Sequence, residues 1–285
     1  MTPVGVRGVP VQQAYIDALT RHAESDDRVL ALWLQGSFAT GAADSYSDVD
    51  AHLLTTDENA DAFRSGGEGW LAAVRPTVYR ASMFGGQMLH AVTDEGMRVD
   101  LWMHAGETRD VSGAAVRALL DPDERIVLGE PGARDGDAAA ALTRHLSEFW
   151  RIFAMLPVVV GRDERVKAFV GAGLLADALG EALLFGGGRS RDAGVKRLNE
   201  FLPDEWRVEI EDALHHAGSS PRALVETHLR LAAVMRRHGP HVAGARGTRY
   251  PAAFEATAIA YVREELDRIK LSGDADLWAP LADAR

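Results

Sequence analysis

Gln35 to Leu54 reads Q-G-S-F-A-T-G-A-A-D-S-Y-S-D-V-D-A-H-L-L, and this stretch decides the fold. An apolar run precedes it, Val29-Leu30-Ala31-Leu32-Trp33-Leu34, with the composition of a buried strand. Gly36-Ser37 ends that strand. A glycine lets backbone approach a neighbouring group closely. Ser37 is expected to cap a short helix over 38–43, whose N-terminal N–H groups would suit phosphate. A second strand is expected over 50–55, entered through Asp48-Val49-Asp50. Residues i and i+2 of a strand share a face, so Asp48 and Asp50 project together while Val49 turns inward. Two adjacent carboxylates repel unless a proton or cation intervenes, and hard divalent cations with oxygen ligands are the natural partners.

A third carboxylate lies in Met97-Arg98-Val99-Asp100-Leu101-Trp102-Met103, another expected strand. Asp100 and Arg98 share a face there, and an inward Asp100 needs a partner such as a metal or Arg98. If this strand pairs beside that of Asp50, three carboxylates converge. Asp44 is read as a loop residue that orders the turn.

The string G-S-x-A-x-G-x-x-D-x-x-S-D-x-D over 36–50, followed by a strand aspartate at 100, resembles the nucleotidyltransferases of the DNA polymerase β superfamily. It is most similar to the antibiotic-modifying branch, the aminoglycoside adenylyltransferases and lincosamide nucleotidyltransferases. Short matches continue at Phe149-Trp150, Val166-Lys167, the G-V-K-R-L-N-E-F-L-P string over 194–203, and Arg249-Tyr250-Pro251. The resemblance implies an α+β protein. A catalytic domain with a small mixed sheet and helices would span 1–132, and an all-α helical bundle that binds substrate would span 133–285. It implies transfer of AMP from ATP to a hydroxyl of a small molecule. Two Mg²⁺ ions would be held by Asp48, Asp50 and Asp100, with Asp100 either a ligand or the base that takes the acceptor proton. Gly36 and Ser37 would approach the triphosphate, with Lys167 and Lys196 as further candidates. Two rival readings are a protein adenylyltransferase of the same fold and a non-enzymatic nucleotide-binding module.

Composition narrows the partners. The 285 residues suffice for one large domain or two ordinary ones, and 47 % hydrophobic content lies in the globular range. Residues 1–130 carry 20 Asp and Glu against 10 Lys and Arg, while the remainder is nearly balanced at 22 against 21. Nucleic-acid binders show the opposite sign, so no nucleic-acid substrate is expected. Such a field draws in a small cationic acceptor. The chain has no cysteine, and its N-terminus lacks a signal-peptide apolar core, so a cytoplasmic protein is expected, as monomer or homodimer. The apolar run over 168–185 is interrupted by Asp177 and Glu181, which argues against a membrane span. Those two acids lie one helical turn apart. They read either as a grip for a substrate ammonium or as a solvent-facing stripe. The histidines show no H-x-x-x-H spacing, so zinc has no anchor.

Beyond the central stretch, the pattern predicts helices over 11–22 and over 58–74, the latter broken around Ser65-Gly66-Gly67. A hairpin follows, with strands over 77–83 and 87–93 joined by Phe84-Gly85-Gly86. After residue 133 the period becomes helical: 138–160 (interrupted at Pro157), 163–185, 192–201, 203–216, 221–238 and 251–271, with a Gly- and Arg-rich loop over 239–250.

Overall fold

The structure is a computed structural model that describes residues 10–111, 115–129, 135–187, 198–272 and 275–284. The fold is α+β. The chain divides into two compact units, Met1–Gly132 and Ala133–Arg285.

The first unit opens with helix α1 (Pro10–Glu24) and strand β1 (Val29–Leu34). A one-turn helix α2 (Gly36–Thr40), strand β2 (Val49–Thr55) and helix α3 (Asp57–Val74) follow. The hairpin β3 (Thr77–Met83) and β4 (Met88–Thr93), turning through Phe84–Gly86, then leads into β5 (Arg98–Ala105). Three short strands, β6 (Arg109–Asp110), β7 (Arg117–Leu120) and β8 (Ile126–Val127), complete the described part of the unit. The main sheet has the order β3-β4-β5-β2-β1-β7. β2 and β5 run parallel at its centre, and the other pairs are antiparallel.

Strand alternation separates the faces of this sheet. Val49, Ala51 and Leu53 of β2 and Val99, Leu101 and Met103 of β5 pack with Tyr15, Ile16 and Leu19 of α1 and Phe63, Trp70 and Leu71 of α3. The alternate residues, Asp50, His52, Asp100, Trp102 and His104, fall on the opposite face. Helix α3 is continuous, against the expected break. Gly67 is buried, and a β-carbon there would lie 3.3 Å from the Met103 sulfur and 3.8 Å from Leu89. The close approach of α3 to the sheet thus uses Gly67, one of two glycines that propensity alone reads as a breaker. The pattern predicts no strand over 117–120, yet β7 pairs with β1 through Leu32–Leu120 and Leu34–Arg117.

The second unit is helical: α4 (Asp135–Phe153), α5 (Leu156–Gly161), α6 (Arg165–Gly186), α7 (Leu198–Phe201), α8 (Asp204–His215), α9 (Pro221–Ala245), α10 (Ala252–Arg268) and α11 (Ala275–Asp283). The break between α4 and α5 comes just before Pro157, which occupies the first turn of α5, where a missing N–H costs nothing. The expected helix over 192–201 lies outside the described residues up to 197. Helix α6 is long and apolar enough to cross a membrane by length and composition, but ten of its residues are buried against the rest of the unit. Asp177 is exposed and Glu181 is buried on that helix, so they do not form one solvent-facing stripe.

The largest departure from expectation is at residues 239–250. Helix α9 runs on through Gly239-Pro240 to Ala245 instead of ending at 238. Gly239 is needed for packing, since a β-carbon there would meet the Tyr250 ring at 2.5 Å. Tyr250 in turn accepts a hydrogen bond from Trp150 Nε1 (3.0 Å) and donates to Glu255 (2.6 Å), which pairs with Arg236 at 3.2 Å. This partly buried network ties α4, α9 and α10 together and outweighs the local proline. Helix α11 was not expected; its Leu277, Trp278 and Leu281 join the core of the unit.

His228 on α9 makes the stability of this unit pH-dependent. It is 1 % exposed, and its Nδ1 lies 2.7 Å from the Leu224 carbonyl oxygen. Burial pushes its pKa down to about 4, against an ordinary 6.5. Between those values the unfolded chain binds a proton that the folded chain refuses, so its contribution is intact above pH 6.5 and lost as pH falls toward 4. The loss approaches about 3 kcal/mol. Melts at pH 7 and pH 4.5 should show a smaller drop for His228→Leu than for the wild type; equal drops would remove His228 from the account.

Candidate metal centre

Each of the three aspartates reaches the site by its own route. Asp50 is the second residue of β2 and lies opposite Asp100 in the parallel register with β5. The pairing that the sequence left conditional is therefore made. Side chains directly opposite in adjacent strands share a face. Asp48 lies two residues before Asp50, at the end of the loop that enters β2. One carboxylate oxygen from each of Asp48, Asp50 and Asp100 falls within 4.8 Å of the other two, and all three side chains are half-buried. Such a group could hold a divalent cation: the donors are hard oxygens, and a bound cation would offset their mutual repulsion.

Gly36 makes room for this arrangement. Its φ is +63°, a left-handed conformation that favours glycine. A β-carbon at this position would lie 2.3 Å from Asp50 Oδ2. The Gln35 N–H donates to the Asp50 carbonyl at 3.0 Å, so the turn after β1 is tied to the start of β2. Ser37 does not cap α2. Gln35 occupies the cap position without a side-chain hydrogen bond, and Ser37 is the second helical residue. The helix spans Gly36–Thr40 rather than 38–43, because the left-handed Gly41 ends it and donates its N–H to the Ser37 carbonyl.

The loop before Asp48 is internally ordered. Asp44 Oδ1 accepts from the Tyr46 N–H (2.9 Å) and from Ser47 Oγ (3.0 Å), an Asx-type turn. Arg98 donates to the Tyr46 carbonyl at 2.6 Å and so braces this loop. The residue that contacts Asp100 is His90 of β4, through Nδ1, with His90 and Asp100 opposite each other in register. Sequence reasoning missed His90, since only the β4–β5 register brings the two together. With Nδ1 donating to Asp100 Oδ1, the imidazole fixes the carboxylate rotamer and leaves Oδ2 for another partner.

A row of rings continues from the triad along the same face. His52 Nδ1 lies 3.0 Å from His104 Nε2, with Trp33 stacked on both rings at 5.3 Å. Burial pushes the pKa of His52 down to about 3 and that of His104 to about 4, aided in both by nearby Arg109, so the pair is neutral at pH 7. Trp102 lies 6.2 Å from His52, centroid to centroid, and Phe84 stacks on Trp102 at 5.3 Å.

Of the lysines read as phosphate candidates, Lys167 is an exposed residue of α6 in the second unit, and Lys196 lies outside the described residues.

No protein-family model and no curated protein matches the chain. Among solved structures, the chain is similar to the Thermotoga maritima CCA-adding enzyme complexed with tRNA_CCA. The identity is 12 %, with 99 % of this chain and 83 % of that chain covered, and the TM-score is 0.35. A likeness at that level carries no argument about activity.

Proposed function

We propose that the protein is a metal-dependent nucleotidyltransferase that moves AMP from ATP to a hydroxyl of a small molecule, an aminoglycoside or lincosamide antibiotic being the acceptor class. The observation that carries this reading is the convergence of Asp48, Asp50 and Asp100 beside the Gly36 turn. Their oxygen donor set suits Mg²⁺, and two ions shared among them would neutralise triphosphate charge and lower the pKa of the acceptor hydroxyl. The chain's own part is positioning. Asp48 and Asp50 hold the triphosphate end of the site next to Gly36 and Ser37. Asp100, with its rotamer set by His90, faces the acceptor end and either completes the ligand set or takes the hydroxyl proton. Transfer of this kind leans on charge neutralisation and alignment, so few further side chains are required. In this reading residues 1–132 form the catalytic domain and 133–285 the substrate-binding domain, with Lys167 a candidate for the triphosphate.

The test is pyrophosphate release from ATP with Mg²⁺ and a panel of aminoglycosides and lincosamides. Acceptor-dependent release, abolished by chelator and restored by Mg²⁺, is the expected result. Release that depends on an added protein in place of a drug would replace the acceptor class. ATP·Mg²⁺ binding without release under any condition would turn the protein into a nucleotide-binding module.

A further inference from the structure

Two exposed aromatic rings on the β3–β4 hairpin lie outside the buried core of the first unit, and each meets a residue that neighbours Asp100. Phe84 is 63 % exposed and stacks on Trp102, which follows Asp100 by two residues on the same face of β5. Tyr79 is 52 % exposed and meets the edge of His90, the residue in contact with Asp100, at 5.9 Å. The backbone sharpens the point. Phe84 has a φ of +51°, in the left-handed region that β-carbon sterics disfavour. It is followed by Gly85 and Gly86, also at positive φ. A side chain this exposed recovers little of that cost through burial. A bulky residue held in an unfavourable conformation at the edge of a site is a pointer to function.

The position across the sheet says which substrate the rings would meet. Gly36 and Ser37 lie at the end of β1, on one side of β2; the hairpin lies beyond β5, on the other. In-line displacement puts the attacking hydroxyl opposite the departing pyrophosphate. With the triphosphate toward Gly36 and Ser37, the acceptor comes to the side of Asp100, His90 and the hairpin. The charge there is unbalanced in one direction. The hairpin's single arginine, Arg80, pairs with Glu68 of α3, and the first unit carries twice as many acids as bases. Aromatic faces beside carboxylates attract cations.

We infer that Phe84 and Tyr79 form the acceptor subsite, and that it takes a hydroxylated ring bearing an amine, laid on the exposed aromatic faces. This rests on reading the triad as a nucleotidyltransferase site. Phe84 is then a specificity-determining residue and Trp102 its support.

Steady-state kinetics with ATP·Mg²⁺ and three amine-bearing probes, kanamycin, streptomycin and lincomycin, tests the assignment. Phe84→Gly is the variant of choice, because glycine accepts the positive φ. Its melting temperature should hold or rise. For whichever probe the wild type modifies, the acceptor KM should increase about 5- to 30-fold, with kcat and the ATP KM within about twofold. Tyr79→Ala should act in the same direction. An unchanged acceptor KM in both variants overturns the subsite. A raised ATP KM with an unchanged acceptor KM also overturns it, and gives the rings to the nucleobase. If the wild type binds ATP·Mg²⁺ by calorimetry but modifies none of the three probes, the acceptor class is wrong while the metal-site reading stands. If it does not bind ATP·Mg²⁺, the underlying reading and the subsite fall together.

Discussion

Asp48→Asn is expected to lower transfer by on the order of 10³-fold or more while the melting temperature holds or rises. The two effects have one origin. Three carboxylate oxygens lie within 4.8 Å of one another. Each like-charged pair at that separation costs on the order of 3 kcal/mol at an effective dielectric of about 20, before counterions screen part of it. The metal-free protein carries that repulsion, and an amide in place of Asp48 relieves part of it. The same amide removes a charge that a divalent cation needs, so metal affinity falls. Asp48 lies just outside β2, where a near-isosteric change disturbs no strand pairing. Calorimetric metal titration, melting curves without metal, and pyrophosphate release at matched Mg²⁺ measure the three quantities. A wild-type rate in this variant would end the metal-centre reading. A large fall in melting temperature would show Asp48 to be chiefly structural.

Legibility differed between the two halves for physical reasons. In the first unit the period-2 pattern of the strand over 50–55, entered through Asp48-Val49-Asp50, and of that over 97–103 placed the aspartates on one face. The partner of Asp100 was hidden, because the β4–β5 register that delivers His90 is a long-range property. Arg98, offered by spacing as that partner, braces the Asp48 loop instead. Strand β7 is too short, and its neighbours too polar, for periodicity to reveal it; it exists because β1 has an edge to pair. In the second unit, helix ends read from Gly and Pro failed where tertiary contacts override them. Gly239 and Pro240 look like a terminator, yet the close approach of Tyr250 keeps α9 helical past them. Ser37 shows the same limit on a smaller scale. A good capping residue does not cap when the turn before it is fixed by the Gln35–Asp50 hydrogen bond and a left-handed Gly36.

Gly36 and Gly41 offer a matched pair that separates backbone conformation from space. Both have left-handed φ, +63° and +75°, and they bracket the same short helix. An alanine at either position meets the steric cost of that region, about 1 kcal/mol. Around Gly41 nothing lies within 4 Å of an added β-carbon, so Gly41→Ala should lose about that much stability and keep its activity within a few-fold. At Gly36 the added carbon would fall 2.3 Å from Asp50 Oδ2 and 3.3 Å from its Cγ. The overlap is with a carboxylate of the aspartate triad and not with a flexible surface chain, so the Asp50 carboxylate or the turn must move. A displacement of about 1 Å at a reacting centre can cost 10²-fold in rate. Gly36→Ala should therefore lose at least about 10²-fold in transfer and about 1–3 kcal/mol in stability, with metal affinity falling in parallel. Melting curves, metal titration and pyrophosphate release on both variants decide the matter. Equal losses of activity in the two would trace the effect to the mobility of the α2 turn. Native activity in Gly36→Ala would mean that the position of Asp50 next to this glycine is not what the chemistry depends on, and the triad would have to work with Asp50 displaced.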